Sequence, residues 1–157
     1  MKFRKAVLAD VEAIHQIINS CADDGLMLPR SRNMLYETIR DFTLIEIEGK
    51  VIAAGALHIL WEDLAEVRAL AVHANYLKQG LGRGIVTKLV QEARDLGCNR
   101  VFALTYQPGF FEKCGFVQVS KDLLPHKVWK ECINCAKFPN CDETAMILKL
   151  DSTPADN

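Results

Sequence analysis

The residues best placed to do chemistry lie in the middle of the chain, in EVRALAVHANYLKQGLGRG from Glu66 to Gly84. An apolar strand is followed by a bend and then by Gly80, Gly82 and Gly84, which open directly into a helical pattern. Glycines at a helix start leave successive backbone N–H groups uncovered, and the helix dipole favours negative charge there, so such a turn can close around a diphosphate. No Lys-Ser or Lys-Thr pair follows the glycines, which excludes the phosphate loop of nucleotide hydrolases. A dinucleotide fold would place the turn after its first strand rather than mid-chain. The expected ligand is therefore a coenzyme A pyrophosphate. Glu66 and Arg68 are two residues apart on the strand and share one face. Arg68 can grip a substrate carboxylate bidentately or simply pair with Glu66. Arg30 and Arg32 add two further cations in a loop, and Lys127 and Lys130 are weaker candidates of the same kind.

A second cluster lies near the C-terminus. His126, Cys132, Cys135 and Cys141 form H-x5-C-x2-C-x5-C, soft ligands that could hold a structural zinc. The outer spacings match no standard finger, so reduced thiols or a redox-sensitive pair remain open readings. Cys21, Cys98 and Cys114 are scattered and read as small buried apolar residues. His15, His58 and His73 show no partner in sequence, and Trp61 and Trp129 read as packing residues.

The elements that must position these residues follow from periodicity and turn chemistry. Residues 2–7 are expected as a strand. Asp10 is expected to cap a helix to about Asn19 with Val11, Ile14, Ile17 and Ile18 inward. Ser31 is expected to cap a second helix through Arg40. Residues 43–47 and 51–60 form a hairpin about Glu48-Gly49-Lys50, and 66–72 is the next strand. Helix 85–96 ends at Gly97. Strand 101–105, a short helix opened by Pro108, and strands 116–119 and 145–150 complete the order β-α-α-β-β-β-α-β-α-β-β. The chain has 157 residues, half of them apolar and a quarter charged, which fits one domain over 1–150 with a real core and a frayed polar tail over 151–157. A net charge of −1 argues against a nucleic-acid partner. Neither a signal peptide nor a membrane-length apolar run is present, so the expectation is a cytoplasmic protein with six cysteines outside disulfides.

This order, with LAVHANYLKQGLGRGIVTKLV from Leu70 and PGFFEKCGF from Pro108, resembles the GCN5-related N-acetyltransferase (GNAT) superfamily over nearly the whole chain. The resemblance implies an α/β fold with a mixed, splayed central sheet flanked by helices on both faces, and acetyl-CoA as co-substrate. Its pantetheine would run along the backbone of Leu70, Ala71 and Val72, and its pyrophosphate would meet amides of Gln79, Gly80, Leu81, Gly82, Arg83 and Gly84. The family's Arg/Gln-x-x-Gly-x-Gly/Ala pattern fits in two registers, from Leu77 or from Gln79. A strand amide near Leu70 would polarise the thioester carbonyl. Glu66 could then accept the ammonium proton through a water, or be only a solvated strand-end carboxylate. Phe111, at the coenzyme site, stands where many members have a tyrosine that protonates the leaving thiolate. That proton would come from solvent, from Tyr106 or from Cys114, or would not be needed.

The stretch RVFALTYQPGFFEKCGFVQVSKDLLPHK and the loop GLMLPRSRNMLYETIRDFTLIE look like the acetyltransferase domain of bacterial N-acetylglutamate synthases. The resemblance implies a short stand-alone form that acetylates the α-amine of L-glutamate, the first step of arginine synthesis, with Arg30, Arg32, Arg68 and Lys127 as substrate-binding candidates and a possible homodimer. Residues 128–143 have no counterpart in those enzymes. The rival readings are a GNAT enzyme for another small amine or a protein N-terminus, a non-catalytic acyl-CoA sensor, and a zinc-stabilised interaction module.

Overall fold

The computed structural model describes residues 1–124 and 143–150. Strands β1 (Lys2–Lys5), β2 (Phe42–Ile47), β3 (Lys50–Trp61), β4 (Leu64–Val72), β5 (Arg100–Thr105), β6 (Val117–Val119) and β7 (Thr144–Lys149) alternate with helices α1 (Val11–Asp23), α2 (Arg32–Glu37), α3 (Leu81–Asp95) and α4 (Pro108–Lys113). The element order is the one expected from the sequence. The seven strands lie in the order β1-β2-β3-β4-β5-β7-β6, and β4 with β5 is the parallel pair among otherwise antiparallel neighbours.

Each face of the sheet is sealed by an amphipathic helix. On one side Ile85, Val86, Leu89, Val90 and Ala93 of α3 bury against Ile52, Leu57, Ala65, Val67 and Val101. On the other, Val11, Ile14, Ile17 and Ile18 of α1 with Leu35 of α2 cover Phe42, Leu44, Ala54, Ala56, Ala69 and Ala71. Ser31 caps α2 as expected, its Oγ accepting from the Met34 N–H at 3.2 Å. That helix stops at Glu37, and a separate 3-10 turn, Ile39–Asp41, takes the chain into β2.

Asp10 differs from expectation. Its side chain makes no capping bond to α1; it accepts from both terminal nitrogens of Arg4 and from the Val7 N–H, each at 2.8 Å. A bidentate guanidinium and a backbone donor outcompete the helix start. Trp61, expected as a packing residue, is 55% exposed at the end of β3.

Two irregularities of β4 set the geometry of the sheet around Glu66. Ala54 pairs with Ala71 but Ala56 with Arg68, so β4 carries an extra residue opposite Gly55, and Ala69 takes a left-handed φ of 54°. This bulge changes the alternation. Ala65 and Val67 face α3 before it, and Leu70 and Val72 after it, which turns Glu66, Arg68, Ala69 and Ala71 to the α1 side. Gly55 is required by packing: a Cβ there would stand 2.5 Å from Ile85 Cγ2 and 3.1 Å from Leu70 Cδ1. The second irregularity is a parting of strands. β4 and β5 pair through Leu64–Arg100, Ala65–Val101 and Glu66–Phe102 and no further. Beyond that point β4 stays with β3 as far as Val72 and β5 with β7 as far as Thr105, so the sheet opens as a V whose vertex is Glu66.

Candidate active site

The glycine turn sits at the mouth of the V. The chain leaves β4 through a 3-10 turn, Ala74–Tyr76, whose first amides are held by His73: Nδ1 accepts from the Asn75 N–H at 3.1 Å. Lys78 and Gly80 then adopt left-handed φ values of 64° and 78°, which swing the backbone into α3 with Gly80 as the residue before it. The first helical bond runs from Gly84 N–H to Gly80 C=O at 3.0 Å. The amides of Leu81, Gly82 and Arg83 precede it and have no carbonyl one turn back. A Cβ on Gly82 would lie 3.3 Å from the Phe110 ring and 3.7 Å from Val72 Cγ2, whereas one on Gly84 would lie 3.1 Å from Phe3. Gly82 thus faces the gap between the end of β4 and α4, and Gly84 serves the packing of α3 on β1. The chemistry of this turn, together with the facing edges of β4 and β5, which beyond Glu66 pair with no strand between them among the described residues, fits a diphosphate with an amide-bearing arm.

Opposite this turn, on the α1 side of the vertex, charged groups converge on Glu66. Its residue is 7% exposed, and Arg68 Nε donates to its Oε1 at 2.6 Å, both side chains being nearly buried. Of the two sequence readings for Arg68, the pair with Glu66 is present. Burial pushes the Glu66 carboxyl above its ordinary value; the Arg68 charge and hydrogen bond pull it back, with smaller pulls from Arg30 and His58. His58, which shows no partner in sequence, has one in the structure. It stands directly across the β3–β4 ladder from Glu66, and its Nδ1 donates to Asp41 Oδ2 at 3.0 Å. Only the register reveals this, because the three residues come from separate elements. Arg32 is engaged on the surface by Glu12 at 2.6 Å, with both side chains more than half exposed. Arg30 is half-buried, and its backbone is clasped by Asn19.

The proton-donor candidates lie on the β5 side. Tyr106 directly follows β5 and is half-buried. Cys114 ends α4; burial raises its thiol and the nearby Arg83 partly offsets this, so it stays protonated at neutral pH. Phe111 is 5% exposed and packs edge-to-face with Phe110 and Phe116, centroids 5.1 and 5.2 Å away. Of this aromatic pair, Phe110 is the ring beside the glycine turn. Cys98 is buried, and Cys21 and Cys114 are half-buried. Lys127, Lys130, His126, Cys132, Cys135 and Cys141 lie outside the described residues. Among the described residues no group of three or more His, Cys, Asp or Glu side chains could hold a metal, and no helix is long and apolar enough to cross a membrane.

Comparison with known proteins meets the same geometry. Residues 11–116 match the family model described as "Acetyltransferase (GNAT) family". An uncharacterised N-acetyltransferase of Chlorobaculum tepidum is 40% identical over 94% of this chain and 95% of its own length. An amino-acid acetyltransferase of Mycobacterium tuberculosis is 38% identical over 82% of this chain and 75% of its own. Among solved structures, the N-acetylglutamate synthase of Neisseria gonorrhoeae complexed with coenzyme A and N-acetyl-glutamate superposes with a TM-score of 0.86 and 26% identity. That match covers 96% of this chain but 35% of the synthase chain. With the parted β4 and β5, the glycine turn at their mouth and a family match across most of the described fold, the chain belongs to the acetyltransferase (GNAT) family.

Proposed function

We propose that this acetyltransferase acts on the α-amine of L-glutamate and so makes N-acetylglutamate, in the cytoplasm, as the opening step of arginine synthesis. The observation that carries the reading is the buried pair of Arg68 and the Glu66 carboxylate at the vertex where β4 and β5 part, a carboxylate on which the Arg30 charge also acts. An acidic amino acid needs cations for its carboxylates and a base for its ammonium group, and both are at hand there. The names of the Mycobacterium relative and the ligands of the Neisseria structure support the same acceptor class.

In this reading the amides of residues 79–84 and the backbone of Leu70, Ala71 and Val72 hold acetyl-CoA. Glu66 takes the ammonium proton, directly or through one water. The amine nitrogen then bonds to the acetyl carbonyl carbon and loses its second proton to solvent, the carbon–sulfur bond breaks, and the thiolate takes a proton from solvent or from Cys114 or Tyr106, which regains its own from solvent. A carboxyl raised by burial is a stronger base than an exposed glutamate, and the Arg68 charge and hydrogen bond oppose that rise.

The test is coenzyme A release from acetyl-CoA with L-glutamate beside aspartate, glutamine, ornithine and a peptide amine. Turnover confined to glutamate supports the reading. Turnover with another amine alone discards glutamate and keeps the acetyltransferase. Coenzyme A binding with no turnover of any acceptor discards the substrate reading.

A further inference from the structure

A base buried at the vertex has to pass on the proton it takes. The charges that act on Glu66 are those of Arg68, Arg30 and His58. Both arginines keep their own protons at any working pH, so they can hold the carboxylate but cannot relieve it of a proton. Histidine is the one side chain of the three that takes up and gives back a proton near neutral pH. The sheet puts His58 in the place where that matters. Leu57 pairs with Val67 and both face α3, so His58, one residue on, shares the α1 face with Glu66, its partner across the ladder. Directly opposed residues of an antiparallel pair have Cβ atoms about 4.5–5.5 Å apart. Helix α1 packs on this face through Val11, Ile14, Ile17 and Ile18. On its other side β3 is flanked by β2. From there Asp41, in the turn that leads into β2, accepts from His58 Nδ1 at 3.0 Å. That bond fixes the tautomer: with Nδ1 the donor, Nε2 of the neutral ring is the acceptor. A carboxylate behind Nδ1 also stabilises the imidazolium formed when Nε2 takes a proton. Exposure runs the same way. The side chains of Glu66 and Arg68 are 10% and 12% exposed, those of His58 and Asp41 27% and 29%, so the line from Glu66 through His58 to Asp41 leads from the buried base toward water.

We propose that His58, braced by Asp41, relays to solvent the proton that Glu66 takes from the acceptor's ammonium group. This rests on Glu66 being the base, as in the reading above, and not on which amine is acetylated. His58 meets no reacting atom and acts through Glu66, so it is a positioning residue for the proton. An ammonium N–H bond breaks as the Glu66 carboxyl gains its O–H. That O–H bond then breaks, directly or through one water, as Nε2–H forms, which restores the carboxylate. Nε2 gives its proton to water, while the Nδ1 proton stays between the ring and Asp41 throughout. Only the proton moves, and nothing is oxidised or reduced. An ordinary histidine is about two units more basic than an ordinary glutamate, so a proton passed to a ring is less available to return to the amine than one kept on a carboxyl.

The test uses the full chain, acetyl-CoA and whichever amine of the panel above it turns over best. His58→Ala is expected to lower kcat about 10- to 100-fold, up to the difference in basicity, with the KM for acetyl-CoA within about twofold of the unmodified enzyme. The loss is largest near neutral pH and shrinks as pH rises, since the amine then arrives with less proton to remove. Added imidazole restores kcat in His58→Ala in proportion to its concentration but does not restore it in Glu66→Gln. Asp41→Asn keeps an oxygen for the Nδ1 proton and loses the charge, and lowers kcat about 3- to 10-fold. In the Glu66→Gln background, His58→Ala adds nothing further, because no proton reaches the relay. An unchanged kcat in His58→Ala overturns the proposal, as do losses that add to those of Glu66→Gln. A loss that imidazole leaves unrelieved also overturns it, and with a lowered unfolding temperature marks the His58–Asp41 bond as a structural brace. If His58→Ala does not fold, His58→Gln carries the pH profile and the double-variant comparison. Full kcat in Glu66→Gln, or no turnover of any amine by the unmodified enzyme, removes the base reading and the relay with it; a loss in Glu66→Gln beside full kcat in His58→Ala removes the relay alone.

Discussion

Glu66 carries two opposed influences, and their balance can be measured. Burial raises its carboxyl above the ordinary 4.5, and Arg68 is the largest influence lowering it. Glu66→Gln should lose roughly 10²–10⁴-fold in kcat, the usual contribution of a positioned base, while coenzyme A still binds. Arg68→Ala removes the main opposing charge, so the acidic limb of the kcat/KM profile should move to higher pH; an unmoved limb would mean that another group sets it. The stability sign follows from the same shift. A carboxyl raised on folding binds its proton more tightly in the native state, so its contribution is present below the ordinary value and is lost as pH rises through the raised one. Glu66→Gln should flatten that decline in unfolding midpoint. Asp10 has the opposite sign. Arg4 and the Val7 N–H hold its carboxyl below 3.8, so its contribution is present above the ordinary value and fades as pH falls through the depressed one. With Asp10 only 8% exposed, Asp10→Ala should cost about 1–3 kcal/mol by leaving these donors unmatched, read by denaturant unfolding at neutral pH. Sequence spacing was enough to put Glu66 and Arg68 on one face, because strand alternation is local. It could not show that Arg68 bonds Glu66, that His58 stands across from it, or that Asp10 serves Arg4 rather than α1. Those facts depend on register and on which donors the fold brings to each carboxylate.

At the scale of elements, the sequence carried the order of strands and helices, the Ser31 cap and the glycine turn, all of which are written in short-range patterns. It did not carry the bulge. Residues 66–72 read as one strand that runs from Glu66-Val67-Arg68 into four apolar residues, and the extra residue shows only when β4 is paired with β3, with Ala69 in a left-handed conformation. Nor could it divide labour among the glycines, which the packing does. Gly80 has open space but a φ of 78°, so Gly80→Ala should destabilise the chain by about 1–2 kcal/mol through its backbone. Gly82 lies inside α3, where alanine is the better helix former by roughly 1 kcal/mol, yet its Cβ would press on Phe110 at 3.3 Å. Gly82→Ala should therefore keep or raise the unfolding midpoint while raising the KM for acetyl-CoA severalfold. Thermal unfolding and steady-state kinetics on both variants separate the cases; parallel losses in both would mean that the turn is one strained unit rather than two glycines with different duties.

The whole molecule is a sheet that is continuous at one end and divided at the other. Helices α1 and α3 seal its two faces, but between the outer parts of β4 and β5 no strand, among the described residues, bridges the edges. Backbone groups along such edges satisfy one another poorly and favour an extended partner that can donate and accept. The family resemblance supplied that partner from the sequence, since the glycine turn and the closing PGFFEKCGF motif flank the gap in the chain; the width and vertex of the gap needed the register. The arrangement predicts where binding energy goes. A ligand that binds only the native state at about 100 times its Kd stabilises by about 2.7 kcal/mol, which for a chain of this size is a rise of roughly 5–10 °C in unfolding temperature. Coenzyme A should produce that rise, and the slowing of amide exchange it causes should centre on residues 67–72 and 79–84, with little change in β1 and β2. Glutamate added after coenzyme A should then slow exchange in the segment 30–32 and around Glu66, which belong to the other side of the vertex. Protection spread evenly over all strands would mean that the V is not where coenzyme A acts, and protection of 30–32 by coenzyme A alone would place that loop on the coenzyme side rather than the acceptor side.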